Sequence, residues 1–317
     1  MAVIAILGGT GHVGKTVVDT IKDHPSHSGL VVTRQAGLPN SGNITYVQND
    51  FSDAEALANI FDQYNVWAVV SCLSVADEPM YTAQEVAINA AEKSASTTRF
   101  IASNWANPSD GPEPVDPWAL NQHRARAHLA TTSLVWTELA TGYLMDFWGI
   151  PFLRTHMMEM LPVIDIKNKV AAIPGTGNEV IPFAYSFDVA RFVVNVLLDL
   201  SPTKWEPITT IVADRLTWNE FLALAEDARG SKFAVSYDSI EDLAGGRLTE
   251  LPNHVEAYAF FPKAALRGLY IGLELAMAAG RFDIALEKTF NLKYPDFKMI
   301  SVSKMLESTW KSNRSAP

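Results

Sequence analysis

Near the N-terminus, Ile6-Leu7-Gly8-Gly9-Thr10-Gly11-His12-Val13-Gly14 sets glycines three apart between an apolar run and an amphipathic segment. That spacing suits phosphate binding for mechanical reasons. The first glycine makes the tight turn, the second lets backbone amides approach a pyrophosphate, and the third lets the following helix pack closely on the strand. The helix start then offers free N–H groups and the positive end of its dipole. The strand before and the helix after favour dinucleotide binding over a plain structural turn. The residues assigned to it are Gly8, Thr10, Gly11, Val13 and Gly14, with His12 either close to the phosphates or simply exposed.

The end of the second strand selects the dinucleotide. An acidic residue there would bind the ribose 2′-OH of NAD, but the chain has Thr33-Arg34-Gln35, with Arg34 20 residues past Gly14. A guanidinium suits a 2′-phosphate, so the expected cofactor is NADP(H); the alternative for Arg34 is a solvated surface arginine. Asp50 and Phe51 follow the third strand, where adenine rests, and Ser71, Cys72 and Leu73 follow the fourth, beside the ribose. These carboxyl ends form the crevice in which open α/β sheets bind ligands. Cys72, the single cysteine, reads as a small buried hydrophobe rather than a redox group.

The elements that must position these residues alternate. Strands are expected at Val3–Leu7, Leu30–Thr33, Ile44–Val47, Val66–Ser71, Arg99–Ala102 and Leu134–Leu139. Val13, Val17, Val18 and Ile21 recur at helical spacing after the first, and Leu57, Ile60 and Phe61 after the third. The fold class is thus α/β: a doubly wound Rossmann parallel sheet with a smaller α+β substrate lobe. Residues 1–150 form the NADP-binding domain, to which later segments return, and residues 151–317 are mainly the substrate lobe. The lobe is expected to include a helix from Asp188 through Leu198, a strand at Ile208–Val212, a helix capped by Thr217 and Glu220, and a C-terminal helix around Val302–Trp310. Ser52 with Glu55 reads as another capping box, the prolines of residues 107–114 as a surface loop, and Trp118–Thr131 as the helix after it.

Of the 317 residues, 48% are hydrophobic and 19% charged, which is ordinary for a globular enzyme. A net charge of -10 gives no footprint for direct nucleic-acid binding. One cysteine excludes an internal disulfide and a cysteine-based zinc site, and fits a reducing, cytoplasmic location. His123 and His128 are five apart without a completing carboxylate, so no metal is expected. Arg267 and Glu274 interrupt the longest apolar stretch, so no membrane span is expected; it reads as a buried or interface helix.

Taken together, the chain resembles the NmrA-like and isoflavone-reductase-like branch of the atypical short-chain dehydrogenases. The resemblance rests on the Gly8–Gly14 loop, Arg34, Asp50-Phe51-Ser52-Asp53, Phe100-Ile101-Ala102-Ser103-Asn104-Trp105, Trp136 through Tyr143, Ser186 through Phe192, Leu216 through Glu220, and Tyr294 through Lys298. It implies NADP binding, with Ser103 and Asn104 among the cofactor contacts, and a small-molecule substrate. The family holds both reductases and a dinucleotide-binding regulator, which leaves open a homodimer or a regulatory protein partner.

The family's reductases carry a lysine on the helix before the sixth strand. Here that position is Gln122, and no lysine occurs between Lys93 and Lys167. The Tyr-x-x-x-Lys match at Tyr294 and Lys298 contains Pro295 and is coincidental. An oxyanion formed by hydride delivery needs a donor, which His123, Arg124 or Tyr143 could supply. His123 adjoins the lysine position, yet neighbours on a helix point about 100° apart, so Gln122 faces the nicotinamide if His123 does not. Tyr143, Met145, Phe147, Trp148 and Phe152 either line an apolar substrate pocket, completed by Phe260, Phe261 and Tyr270, or form ordinary core. Three functions follow: an NADPH-dependent reductase of a small apolar or aromatic carbonyl or enone, a non-catalytic NADP(H) sensor, or a non-redox isomerase.

Overall fold

Short runs of branched apolar residues, bounded by polar turns, build the sheet that carries the glycine turn. The computed structural model describes residues 1–22, 24–106, 117–160 and 162–314. The expected loop at 107–114 therefore lies outside the described residues. In chain order the first elements are β1 (Ala2–Leu7), α1 (His12–Ile21), β2 (His27–Thr33), β3 (Ile44–Gln48), α2 (Ala54–Gln63), β4 (Val66–Ser71), α3 (Glu78–Lys93), β5 (Arg99–Ala106), α4 (Pro117–Leu129) and β6 (Val135–Ala140).

These strands pair in parallel in the order β6-β5-β4-β1-β2-β3, and the strand Ile208–Thr210 adds a seventh beside β6. Leu7 of β1 sits opposite Val32 of β2 and Ser71 of β4, so the three carboxyl ends lie level around the glycine turn. Leu57, Phe61, Ile88 and Leu129 of α2, α3 and α4 pack against Leu7, Val32, Val69 and Phe100 in one core. Helix α1 covers the other face, where Val18 and Val31 crowd Gly9. Parallel strands buried on both faces require such two-sided cover.

Two features differ from expectation. Ser52 does not cap α2: its hydroxyl donates to Asp50, and Asp53 caps the helix by accepting from the N–H groups of Glu55 and Ala56. The helix Ser186–Phe192, continuing as a wider turn over Val193–Leu197, and the strand Ile208–Thr210 group with the sheet rather than with the smaller lobe. Strand pairing to β6 decides that placement. The first compact unit thus comprises Met1–Thr141, Ser186–Ile211 and Phe290–Tyr294.

The second unit groups Gly142–Tyr185, Val212–Thr289 and the chain after Tyr294. It holds two three-stranded sheets, Asp214–Thr217 with Val180–Ala184 and Tyr143–Leu144, and Ala234–Asp238 with Val170–Pro174 and Ile164–Asp165. The helix Trp218–Arg229 opens with the Thr217/Glu220 capping box. Its core packs Met145, Trp148, Phe183, Trp218, Phe221 and Trp310. The long helix Lys263–Ala278 buries Leu266, Tyr270, Glu274 and Met277. Among the described residues no helix is long and apolar enough to cross a membrane.

Candidate functional site

The turn after β1 exists only because glycine occupies it. Gly8 adopts a φ of +72°, and a Cβ there would stand 3.0 Å from the Cys72 carbonyl oxygen. At Gly14 a Cβ would lie 2.2 Å from the Gly8 oxygen and 2.6 Å from the Gly9 Cα, inside any permissible contact. Gly11 donates its N–H to Gly8 at 2.9 Å, and α1 starts directly behind with no acidic residue in its first turn and no side-chain cap. Backbone donors and the dipole end are thereby left for an anion. His12 is exposed on this first turn.

The turn is tied to β2 through Thr10 and Thr33, whose hydroxyl oxygens are 3.0 Å apart. Arg34 follows, exposed, with no side-chain partner among the described residues. Beyond β3, Asp50 accepts from the amide and hydroxyl of Ser52, hydrogen bonds that hold its carboxyl below the usual range. Phe51 is buried at a φ of +60°, its N–H donating to Asn49 at 2.7 Å. After β4, Ser71 donates to Gln84 at 2.7 Å, and the Leu73 carbonyl accepts from Ser103 at 2.7 Å. Cys72 is half-buried, and desolvation by its surroundings pushes its thiol up, which favours the protonated form.

At the carboxyl end of β5 the register against β6 shifts, and Trp105 takes a φ of +52° while donating its indole N–H to the Ser71 carbonyl at 2.9 Å. Phe51 and Trp105 thus carry backbone strain of order 1–3 kcal/mol each beside the same crevice, as residues at ligand sites commonly do. Asn104 donates to Glu138 at 2.8 Å, Arg126 pairs with the other carboxylate oxygen at 2.8 Å, and Gln122 donates to Asn104 at 2.6 Å. Gln122 therefore lies at the carboxyl end of β5, linked through Asn104 and Ser103 to Leu73 and the glycine turn. His123, half-buried, takes a different direction from the same helix. Arg124 is spent as a tie to α3, forked onto Glu78 and stacked 4.0 Å over Tyr81, so it is not available to an oxyanion.

A family model described as NAD(P)H-binding matches residues 8–152. The oxidoreductase swnN of Metarhizium robertsii is 26% identical over 98% of both chains, and isoeugenol synthase 1 of Clarkia breweri is 24% identical over 97% of this chain and 95% of its own. The leucoanthocyanidin reductase of Vitis vinifera, solved as a binary complex with NADPH, shares the fold with a TM-score of 0.73 at 15% identity, over 96% of this chain and 98% of its own. An isoflavone reductase homolog of Nicotiana tabacum is 24% identical over 76% of this chain and 78% of its own, so the chain is similar to isoflavone-reductase-like proteins, in keeping with the resemblance carried by its motifs.

Against the pattern that the resemblance implies, the glycine turn is kept and helix α4 departs at one position. Where the resemblance implies a lysine ammonium, the structure has a buried neutral amide, Gln122. In the second unit, Tyr143 packs on Phe147, Trp148, Trp218 and Phe282, and burial, with Tyr270 and Glu274 nearby, pushes its phenol up. Met145 and Trp148 are core, Phe147 and Phe152 pack partly buried against them, and Phe260 is 74% exposed.

Sequence reasoning missed Glu138, Arg126 and Trp105 as site-building groups, and it passed over Glu274. Glu138 offers a signal in hindsight, a carboxylate in the apolar β6; Arg126, in a His/Arg-rich helix, offers none. Glu274 is fully buried, and neither carboxyl oxygen has a hydrogen-bond partner among the described residues. Burial, reinforced by Asp238, pushes its pKa up to about 9.

Proposed function

We propose that this chain is an NADPH-dependent reductase of a small, largely apolar carbonyl or enone compound. Arg34 carries the reading: an exposed guanidinium, without a side-chain partner among the described residues, directly after Thr33, the residue that anchors the glycine turn. A planar fork of donors in that place matches a 2′-phosphate and has no use for a ribose hydroxyl. The turn that only glycine can make, backed by an uncapped helix start, fits the pyrophosphate. Relatives named as oxidoreductases, and a fold shared with an NADPH complex, support the same reading.

When bound, the reduced nicotinamide supplies the hydride. The chain's own residues do the holding: Gly8 through Gly14 and the start of α1 take the pyrophosphate, and Arg34 takes the 2′-phosphate. Asp50 and Phe51 flank adenine, Ser71, Cys72 and Leu73 the ribose side, and Ser103, Asn104 and Gln122 the nicotinamide end. His123 is the side chain proposed to give a proton or hydrogen bond to the reduced oxygen.

Arg34→Ala should raise the dissociation constant of NADPH by about 10- to 100-fold, the worth of charge-assisted hydrogen bonds, and leave that of NADH unchanged. Equal weakening of both would refute the NADP assignment. NADPH oxidation over a panel of enones and aromatic ketones tests turnover. Gln122 favours a second reading, a sensor that binds NADP(H) without turnover, which predicts tight binding, no oxidation with any of the panel, and unequal affinities for NADP+ and NADPH. An isomerase would instead form product without consuming NADPH.

A further inference from the structure

The amide of Gln122 has one end engaged. Its Nε2 donates to Asn104, while its carbonyl Oε1 is buried and has no hydrogen-bond partner among the described residues; the residue is 4% exposed. Which end faces Asn104 is dictated by chemistry. The Glu138 carboxylate, paired with the Arg126 guanidinium, is an acceptor only, so Asn104 must turn Nδ2 towards it and present Oδ1 on its other side. Gln122 must then donate to Oδ1, which leaves Oε1 as the free end. The ion pair thus fixes the polarity of an amide two hydrogen bonds away.

A buried acceptor without a partner is expensive, and native structures keep one for water, an ion or a ligand. An anion is excluded by the sign of the carbonyl dipole. Asn104 directly follows Ser103, which bonds the Leu73 carbonyl beside the glycine turn, so the empty acceptor belongs to the carboxyl-end crevice.

We propose that Gln122 Oε1 accepts a hydrogen bond from an N–H or O–H donor of the bound ligand, and that Arg126, Glu138 and Asn104 lock it in that role. The proposal rests on the reductase reading above. It gives the site the opposite polarity to the family's lysine, which can only donate, and it makes the site selective for ligands that carry a donor. That donor is the carboxamide NH2 of the nicotinamide or a hydroxyl on the substrate, the ribose hydroxyls being left to the side of the crevice flanked by Ser71, Cys72 and Leu73.

Titration calorimetry separates them. The probes are NADP+ and its 3-acetylpyridine analogue, in which methyl replaces the carboxamide NH2, and, on the NADP+ complex, a hydroxyaryl ketone and its methyl ether. The wild-type protein should prefer the donor-bearing member of one pair by about five- to tenfold, the size of one neutral hydrogen bond. A preference within the first pair assigns the donor to the cofactor, and one within the second assigns it to the substrate. Gln122→Met should abolish that preference. Gln122→Glu should retain it, because a protonated carboxyl can donate to Asn104 and keep its carbonyl free. Glu138→Gln lets the chain of amides reverse and should erode the preference while leaving the Arg34-dependent choice of NADP+ over NAD+ intact. That last contrast marks Glu138 as a positioning residue, since a merely structural loss would weaken both. Absence of either preference in the wild type, or its survival in Gln122→Met, overturns the proposal. Failure of the wild type to bind NADP+ at all would strike the reductase reading instead.

Discussion

Glu274 should make the protein progressively less stable as pH rises from about 4.5 to about 9, and Glu274→Gln should remove that dependence. The carboxyl is fully buried, has no hydrogen-bond partner among the described residues, and binds its proton up to about pH 9 in the native state, against an ordinary value of 4.5. The unfolded chain releases that proton above pH 4.5, so between the two values the native state holds one proton more and loses stability with rising pH. Each pH unit is worth about 1.4 kcal/mol. The side chain's contribution is therefore whole below pH 4.5, is reduced by about 3 kcal/mol at pH 7, and levels off beyond about 9. Glutamine is neutral throughout and nearly the same size. In urea unfolding at pH 5.5, 7 and 8, the variant should exceed the wild type by an amount that grows by about 1.4 kcal/mol per unit. A difference that stays constant with pH, or a wild type that outlasts the variant at pH 8, would show that the carboxyl titrates normally and that its burial is compensated.

Other consequences follow from single contacts. Gly14→Ala, whose Cβ would stand 2.2 Å from the Gly8 oxygen, should abolish measurable NADPH binding in a fluorescence titration; retained affinity would mean the turn can open without cost. Asp53→Ala should destabilise the first unit by about 1 kcal/mol through loss of the cap on α2, whereas Ser52→Ala should cost far less; thermal unfolding of the pair decides which residue caps the helix. Cys72, half-buried with its thiol pushed up by desolvation, should react with a maleimide at pH 8 more slowly in the native protein than after denaturant is added, and equal rates would contradict the upward shift.

The parallel sheet was legible because its strands are buried on both faces and read as continuous apolar runs: the run Val66–Ser71 is strand β4 at both ends. The glycine turn was legible because only glycine satisfies its contacts. Segments that rejoin the sheet late were harder. Nothing local in Ile208–Thr210 distinguishes a strand that pairs with β6 from one in the smaller unit, since the pairing spans about 70 residues of chain. The capping box at Ser52 misled because two candidate caps stand side by side, and the carboxylate of Asp50 claims the serine hydroxyl.

The two buried glutamates show where the sequence stops deciding. Each interrupts an apolar run, Glu138 in β6 and Glu274 in the helix Lys263–Ala278, and each is at most 1% exposed. Glu138 receives a guanidinium and an amide, so its charge is compensated and becomes an orienting device for Asn104 and Gln122. Glu274 receives no hydrogen bond from the described residues, so it keeps its proton. The partners that separate these outcomes come from α4 and β5, 12 and 34 residues away from Glu138. A carboxylate in an apolar segment therefore signals that something is being held, and only the packed structure tells whether it is a neighbouring side chain or a proton.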